Sequence, residues 1–400
     1  MIEAEQDPRL VALEALEALE MMGSAPEERF DRITRMAEEL FRVPVAEIHF
    51  LDDTTLFTKS PQRPDAVLAY PRAGTFCDAT LEKRTTFVVP DLGADEAWAG
   101  HEHVAGYPHV RFYAGRPLSV EGDLQLGTLC LIDFVPRSLT PDERQLLEEF
   151  GEWVERELRD TAERDRAADM QTQMAPSSLH HPAGYELSGL SLPRWTITGD
   201  FYSWRGDDET VDLTLVDVMG KGTAAAIVAA SIRSAFRARL GGDPDAVVSA
   251  VSAQLHDDFT ATETFATLFH GRLDTASGRI DFVDAGHGLT VLLRADGSFQ
   301  RLAALGLPLG IAEDGGWITQ TVELAVGDSL LAFTDGVLDL YDGTLQSLAR
   351  AVDLARDSAD TAAFLQALRA LAASGSASDD ITALVLTRTG ADRSAEKDPA

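Results

Sequence analysis

The sequence predicts an α+β protein with more than one domain. Its 400 residues are 45% hydrophobic and 25% charged, proportions typical of globular chains with a substantial core. The length exceeds that of most single domains. Helical periodicity and short alternating strands follow one another in two successive blocks, and this order favours antiparallel sheets with flanking helices.

Charge and cysteine content exclude several classes of function. Lys and Arg number 34 against 66 Asp and Glu, a formal net charge of −32. Such a surface repels phosphate backbones and anionic lipid, so no nucleic acid and no membrane is expected as a partner. Cys77 and Cys130 are too few for a disulfide framework or a thiolate zinc site. With an acidic N-terminus and no long apolar run, the sequence predicts a cytoplasmic protein.

The first block begins with two predicted helices. Leucines at three-residue steps over 8–22 indicate an N-terminal helix within residues 1–23. Ser24 is predicted to cap a second helix that turns Phe30, Ile33, Ala37 and Leu40 inward. Strands follow at 46–51, 56–59, 86–89, 111–117 and 124–133.

Residues 141–175 predict one long charged helix. Leu147, Phe150, Val154 and Leu158 give it an apolar seam that fades beyond residue 161. The seam fits a helix packed on the first domain with a solvated tail, or equally a coiled coil that joins two protomers. The second interpretation predicts a homodimer through 141–175.

The second block, residues 179–389, also mixes strands and helices. Strands are predicted at 185–190, 212–218, 265–273, 279–285, 290–294 and 329–334, and helices at 222–240, 243–259 and 361–373. The charged tail, 390–400, is predicted to be disordered.

Several aspartates in this block share one local setting. Asp200, Asp217, Asp335 and the pair Asp379 and Asp380 each end or follow an apolar run beside Gly or a polar residue. Taken singly, each is more typical of a turn than of a ligand. Converging together without His or Cys, they would form an all-oxygen site suited to Mg²⁺ or Mn²⁺ and to hydrolytic phosphoryl transfer.

The motifs around these aspartates resemble a known family. The matching segments are 183–189, Gly199-Asp200-Phe201-Tyr202, Asp217-Val218-Met219-Gly220-Lys221-Gly222, Ala285-Gly286-His287, 306–310, Thr334-Asp335-Gly336-Val337 and Asp379-Asp380-Ile381-Thr382. In this order they resemble the bacterial stage-II-sporulation-E type of metal-dependent PP2C (PPM) serine/threonine phosphatases. The resemblance implies an αββα sandwich with two Mn²⁺ or Mg²⁺ ions at one edge.

The resemblance also implies roles for individual residues. Asp200, Asp217 and the Val218 carbonyl would hold the first ion. Asp217 would bridge to the second, which Asp335 and Asp379 complete, with Asp380 a weaker candidate ligand. A metal-bound hydroxide would attack phosphorus in line, and Lys221 is a candidate phosphate contact, against the alternative of a solvated lysine between two glycines.

Three positions need separate interpretation. Ser203 stands where the family often has a second acidic residue, and Thr198 replaces the usual first Gly of that motif. His287, between Gly286 and Gly288, fits a structural turn better than a proton donor.

The first block resembles a GAF sensor domain, assigned to residues 24–140. The resemblance rests on 75–78, 88–91, 111–118 and 126–133, and it implies an antiparallel sheet with flanking helices and an unknown ligand or protein partner. His101, His103 and His109 suggest a metal or haem site, but solvated loop histidines are the favoured interpretation. The helical linker would then span 141–178.

Together the two resemblances imply a function. The chain would be a metal-dependent serine/threonine phosphatase regulated by its GAF domain, acting on a phosphorylated anti-anti-sigma-factor (STAS) protein in sigma-factor signalling. The alternative is a catalytically weak or inactive phosphatase fold that serves as a ligand-sensing binding platform.

Overall fold

The computed structural model describes residues 21–61, 67–119, 124–176, 182–374 and 378–390. The chain divides into two compact units, Met1–Arg166 and Ala167–Ala400. The helix expected at 8–22 lies almost entirely outside the described residues, as does the tail beyond residue 390.

The N-terminal unit is an antiparallel sheet with helices on both faces. Its elements are α1 (Glu28–Phe41), β1 (Val45–Leu51), β2 (Thr55–Ser60), β3 (Ala69–Pro71), α2 (Phe76–Lys83), β4 (Phe87–Val89), α3 (Glu102–Ala105), β5 (Phe112–Ser119), β6 (Gln125–Asp133) and the start of α4 (Pro141–Met174). The strand order is β3-β2-β1-β6-β5-β4. One face packs against α1 and α4, and α2 covers the other.

The start and the inner face of α1 differ from the prediction. The helix begins at Glu28, and the Ser24 hydroxyl donates to the Met21 carbonyl, so the predicted Ser24 cap is wrong. Leu40 is 54% exposed, whereas Phe41 is 1% exposed. Phe41 continues the face of Ala37 at a four-residue step, which is one helical turn.

The apolar seam of α4 is internal to the N-terminal unit. Leu147, Phe150, Val154 and Leu158 belong to the same core as the inner face of the sheet, and three of them have no exposed surface. This packing favours the interpretation of a helix packed on the first domain, because a seam that fills a core is not available to a second chain. The homodimer through 141–175 remains a prediction. The helix continues to Met174, and the division between the units falls inside it.

The C-terminal unit has two five-stranded sheets. Its elements are β7 (Tyr185–Leu192), β8 (Phe201–Gly206), β9 (Thr210–Val218), α5 (Thr223–Arg237), α6 (Pro244–Thr262), β10 (Ala266–Asp274), β11 (Arg279–Ala285), β12 (Thr290–Leu293), β13 (Phe299–Arg301), β14 (Gln320–Glu323), β15 (Ser329–Phe333), α7 (Gly336–Asp339), α8 (Leu345–Asp357), α9 (Thr361–Ser374) and β16 (Ile381–Arg388). The sheet orders are β14-β11-β10-β9-β8 and β13-β12-β15-β16-β7.

The two sheets form an αββα sandwich. An apolar core drawn from both sheets lies between them. Helices α5 and α6 cover the outer face of the first sheet, and α7 to α9 cover that of the second. The predicted α+β class and sandwich are therefore confirmed. Strand β8 was not predicted, because its sequence FYSWRG carries polar residues and a glycine where a strand pattern would be apolar.

Within the described residues, every helix is too short or too polar to cross a lipid bilayer.

Truncating the α4 seam should destabilise a single chain. We expect Leu158→Ala to lower the free energy of unfolding of the N-terminal unit by about 2–5 kcal/mol, because a fully buried leucine is replaced by a cavity. Leu40→Ala, at an exposed site on α1, should change it by less than about 0.5 kcal/mol. Denaturant titration of the full chain at two protein concentrations measures both effects. A loss of stability that depends on protein concentration would instead indicate that the seam lies in a dimer interface.

Candidate functional site

Five aspartates from both sheets line one small cavity. Asp200 directly precedes β8 and Asp217 lies near the end of β9, in the first sheet. Asp335 follows β15, and Asp379 and Asp380 directly precede β16, in the second sheet. The cavity measures about 230 Å³. It is lined by Asp200, Asp217, Val218, Met219, Gly220, Phe265, Thr267, Asp335, Asp379 and Asp380.

The carboxylates perturb one another. Burial, reinforced by the charge of Asp217, raises the pKa of Asp200 well above its ordinary value. Burial together with Asp335, Asp379 and Asp380 raises the pKa of Asp217 to about 7. Burial and Asp379 also raise the pKa of Asp335. The cavity therefore concentrates negative charge that neither solvent nor nearby cations neutralise fully.

The donor set fits divalent cations. Among the described residues, Asp200 Oδ2 is a buried carboxylate oxygen with no hydrogen-bond partner. An unpaired buried carboxylate oxygen is costly unless a cation or donor meets it. Carboxylate oxygens without sulfur or imidazole are the ligands that Mg²⁺ and Mn²⁺ prefer.

Asp380 has a different task from the other four aspartates. Its Oδ1 accepts from the Arg194 amide at 2.7 Å, and its Oδ2 accepts from the Thr198 hydroxyl at 2.8 Å and the Gly199 amide at 3.1 Å. The Thr198 hydroxyl in turn accepts from the Asp200 amide at 2.8 Å. The expected ligand Asp380 thus uses its oxygens to position Asp200 through Thr198.

The chain is similar to known proteins in both of its units. A family model for stage II sporulation protein E (SpoIIE) matches residues 207–389, and a GAF domain model matches 25–158. Protein IcfG of Synechocystis sp. is 25% identical over 229 residues, covering 49% of this chain and 36% of that protein. Phosphoserine phosphatase RsbU of Bacillus subtilis is 26% identical over 176 residues, covering 43% and 52%. The chain thus spans about half or less of the length of these relatives.

The SiaA-PP2C domain of Pseudomonas aeruginosa is 24% identical and covers 56% of this chain and 95% of that domain, with a TM-score of 0.48.

This chain joins a GAF domain to a SpoIIE domain. Both families are those that the motifs of the sequence resemble. Asp217, Asp335 and Asp379 fall inside the SpoIIE match, and Asp200 lies seven residues before its first residue.

Lys221 of the SpoIIE domain contacts the segment that carries Asp379. Its Nζ lies 3.3 Å from Asp379 Oδ2 and donates to the Ser378 carbonyl at 2.5 Å. Gly220 and Gly222 on either side both have positive φ, which fits the tight turn before α5. The lysine thus steadies the segment that carries Asp379 at the mouth of the cavity.

Ser203 and His287 of the SpoIIE domain do not line this cavity. Ser203 lines a separate pocket beside Trp204. His287 sits in a turn whose amide donates to the Asp284 carboxylate at 2.8 Å. Burial lowers the pKa of His287 to about 4, so its ring is neutral at neutral pH and has no extra proton to give.

Within the described part of the chain, His101, His103 and His109 form no three-ligand group, although the rings of His101 and His103 lie 5.4 Å apart. The His101 ring lies 4.6 Å from the Phe76 ring, and its Nδ1 accepts from the His103 amide. Among the described residues, the one compact group of three His, Cys, Asp or Glu ligand atoms is His49, Cys77 and Cys130. His49 was missed, because nothing local in the sequence connects it with either cysteine. The prediction that two cysteines are too few for a thiolate metal site therefore did not count this third donor atom.

The pKa of Asp217 makes the stability of the metal-free protein depend on pH. The folded-state pKa of about 7 exceeds the ordinary 3.8, so the folded state binds more protons than the unfolded state between those values. Stability is therefore expected to fall as pH rises from about 4 to about 7 in the presence of a chelator.

Asp217→Asn should lessen that fall, while Asp258→Asn, at an exposed position on α6, should retain it in full. Thermal unfolding across this pH range measures the difference. Equal slopes in the two variants would show that Asp217 ionises freely in the folded chain.

Proposed function

We propose that the SpoIIE domain of this chain is a Mn²⁺- or Mg²⁺-dependent phosphatase of the PPM type that hydrolyses phosphoserine or phosphothreonine in a protein. The observation that carries the proposal is the convergence of Asp200, Asp217, Asp335 and Asp379, from four separate stretches of chain, on one cavity. The name of the relative RsbU, a phosphoserine phosphatase, supports the same activity.

Four carboxylates would hold two divalent ions. Asp200 and Asp217, with the Val218 carbonyl, suit one position, and Asp217, Asp335 and Asp379 suit the other. When bound, such ions polarise phosphoryl oxygens and lower the pKa of a water molecule that can attack phosphorus.

The other residues of the cavity prepare this arrangement. The Asp380 carboxylate and the Thr198 hydroxyl hold the backbone of Asp200 through bonds of 2.8 Å each. Lys221 places a positive charge beside Asp379, where an incoming phosphoryl group would meet it. A volume of about 230 Å³ admits a phosphoryl group with little of the attached protein.

The resemblance to the family supports a substrate and a mode of regulation. We propose a phosphorylated STAS-type anti-anti-sigma protein as the substrate, with the GAF domain controlling turnover in response to its ligand. The alternative, a catalytically inactive binding platform, would be favoured by the loss of metal-binding carboxylates, but all four remain.

Removing one carboxylate should abolish metal-dependent hydrolysis. We expect Asp335→Asn to reduce kcat/KM for p-nitrophenyl phosphate and for a phosphoserine peptide by at least about a hundredfold, since the charge stabilisation that a metal supplies is worth several kcal/mol. The control Asp258→Asn should keep wild-type kinetics. Rates are measured after chelation and again with added Mn²⁺ or Mg²⁺. Wild-type protein without metal-dependent turnover on either substrate would favour the binding platform.

Deleting the protein should also identify its substrate. In the source organism, a STAS-domain phosphoprotein should accumulate its phosphorylated serine or threonine when this chain is absent and lose it when the chain is restored. Quantitative phosphoproteomics, with the Asp335→Asn variant as the control for restoration, makes the measurement. A different phosphoprotein responding alone would leave the phosphatase activity in place and replace the proposed substrate.

A further inference from the structure

The GAF domain encloses two cysteines and a histidine that the phosphatase chemistry does not use. His49 lies on β1 and Cys130 on the neighbouring strand β6, where Cys130 pairs with Glu47. Since alternate residues share a face, both side chains project from the face that α2 covers. Cys77 belongs to the first turn of α2, and its thiol lies beside the His49 ring. All three residues are buried.

The three ligand atoms are spaced as a metal requires. His49 Nδ1 lies 3.5 Å from Cys77 Sγ and 3.5 Å from Cys130 Sγ. All three atoms lie within 4.8 Å of one another. A metal bonded to sulfur at about 2.3 Å and to nitrogen at about 2.0–2.1 Å, with tetrahedral angles, holds those atoms about 3.5 Å apart. The group thus has the dimensions of a coordination site.

The surroundings orient the histidine as they do in metal sites. His49 Nε2 lies 3.3 Å from the Glu47 carboxylate, which leaves Nδ1 facing both sulfurs. A metal-bound imidazole usually donates its second nitrogen to such a carboxylate. The Tyr113 hydroxyl, 3.6 Å from Cys77 Sγ, donates to that sulfur.

The charges are also suited to a cation. A hydrogen bond from Cys130, together with His49, lowers the pKa of the Cys77 thiol well below its ordinary value despite burial. Burial opposes a charge on His49, but Cys77 and Glu47 raise its pKa to about 10. A divalent ion bound by two thiolates would be neutral overall, because it would displace one proton from each sulfur.

We propose that Cys77, Cys130 and His49 Nδ1 bind one thiophilic metal ion, Zn²⁺ or Cu⁺, inside the GAF domain, with Glu47 as a positioning residue. Two sulfurs and one imidazole select soft or borderline cations over Mg²⁺ and Mn²⁺. The proposal gives the GAF domain a class of ligand, and it does not rest on the proposed phosphatase activity.

Metal titration of the reduced full-length chain tests the proposal. The protein is stripped with a chelator, kept reduced without added thiols and saturated with Mg²⁺, so that the oxygen-lined cavity is filled. Zn²⁺ and Cu⁺ are then added in competition with chelators of known affinity, and Co²⁺ serves as a spectroscopic probe. We expect one tightly bound Zn²⁺ or Cu⁺ per chain and a thiolate-to-cobalt charge-transfer band, which oxygen ligands cannot produce.

Single substitutions assign the ligands. Cys77→Ser and Cys130→Ser should each weaken binding by at least about a hundredfold and diminish the cobalt band. Glu47→Gln should weaken binding about 10–100-fold while keeping one metal per chain, as expected for a residue that acts through His49. The matched control is His103→Gln, because His103 lies in the same domain with half of its side chain exposed. It should bind as the wild type does.

Two results would overturn the proposal. One is wild-type protein that shows no charge-transfer band and holds no Zn²⁺ or Cu⁺ against the competing chelators. The other is a Cys77→Ser or Cys130→Ser variant that binds as tightly as wild type. The wild-type titration can refute the proposal by itself, so the test remains valid even if a variant fails to fold.

Discussion

Like charges held close together in a buried cavity are the constraint around which the C-terminal unit is organised. Four carboxylates line one cavity at the edge where the two sheets of the sandwich meet, and burial together with their mutual repulsion raises the pKa of Asp217 to about 7. An arrangement of this kind persists because the rest of the fold holds it and because a cation can occupy it. The apolar core between the sheets supplies that support.

Hydrogen bonds around Thr198 transmit this support to the site. Its hydroxyl donates to Asp380 and accepts from the Asp200 amide, so one side chain joins the second sheet to the first. Its backbone is held from another side, where the Gln171 side-chain amide donates to the Thr198 carbonyl at 2.8 Å and accepts from its amide at 3.0 Å. Gln171 belongs to the last turns of α4. The position of Asp200 therefore depends on this helix as well as on β16.

The two units present different coordination chemistry. The cavity of the SpoIIE domain offers carboxylate oxygens, which favour hard cations, whereas the GAF domain places two thiols and an imidazole together, which favour soft ones. The carboxylates come from two adjacent strands in each of two sheets, whereas the GAF group combines two adjacent strands with the helix α2.

Local patterns sufficed to predict most strands, the helices α5, α6 and α9, and the order of the aspartate motifs, since alternation and helical spacing depend on neighbouring residues alone. The role of Asp380 could not be predicted in this way, because its partners Arg194, Thr198 and Gly199 lie more than 180 residues earlier in the chain. The group of His49, Cys77 and Cys130 could not be predicted either, because only the pairing of β1 with β6 and the packing of α2 bring these residues together. The sequence pattern of the α4 seam is the same for a helix packed on a core and for a helix paired with a second copy of the chain. Local sequence specifies which face of an element is apolar, but side chains distant in the chain meet only where register and packing bring them.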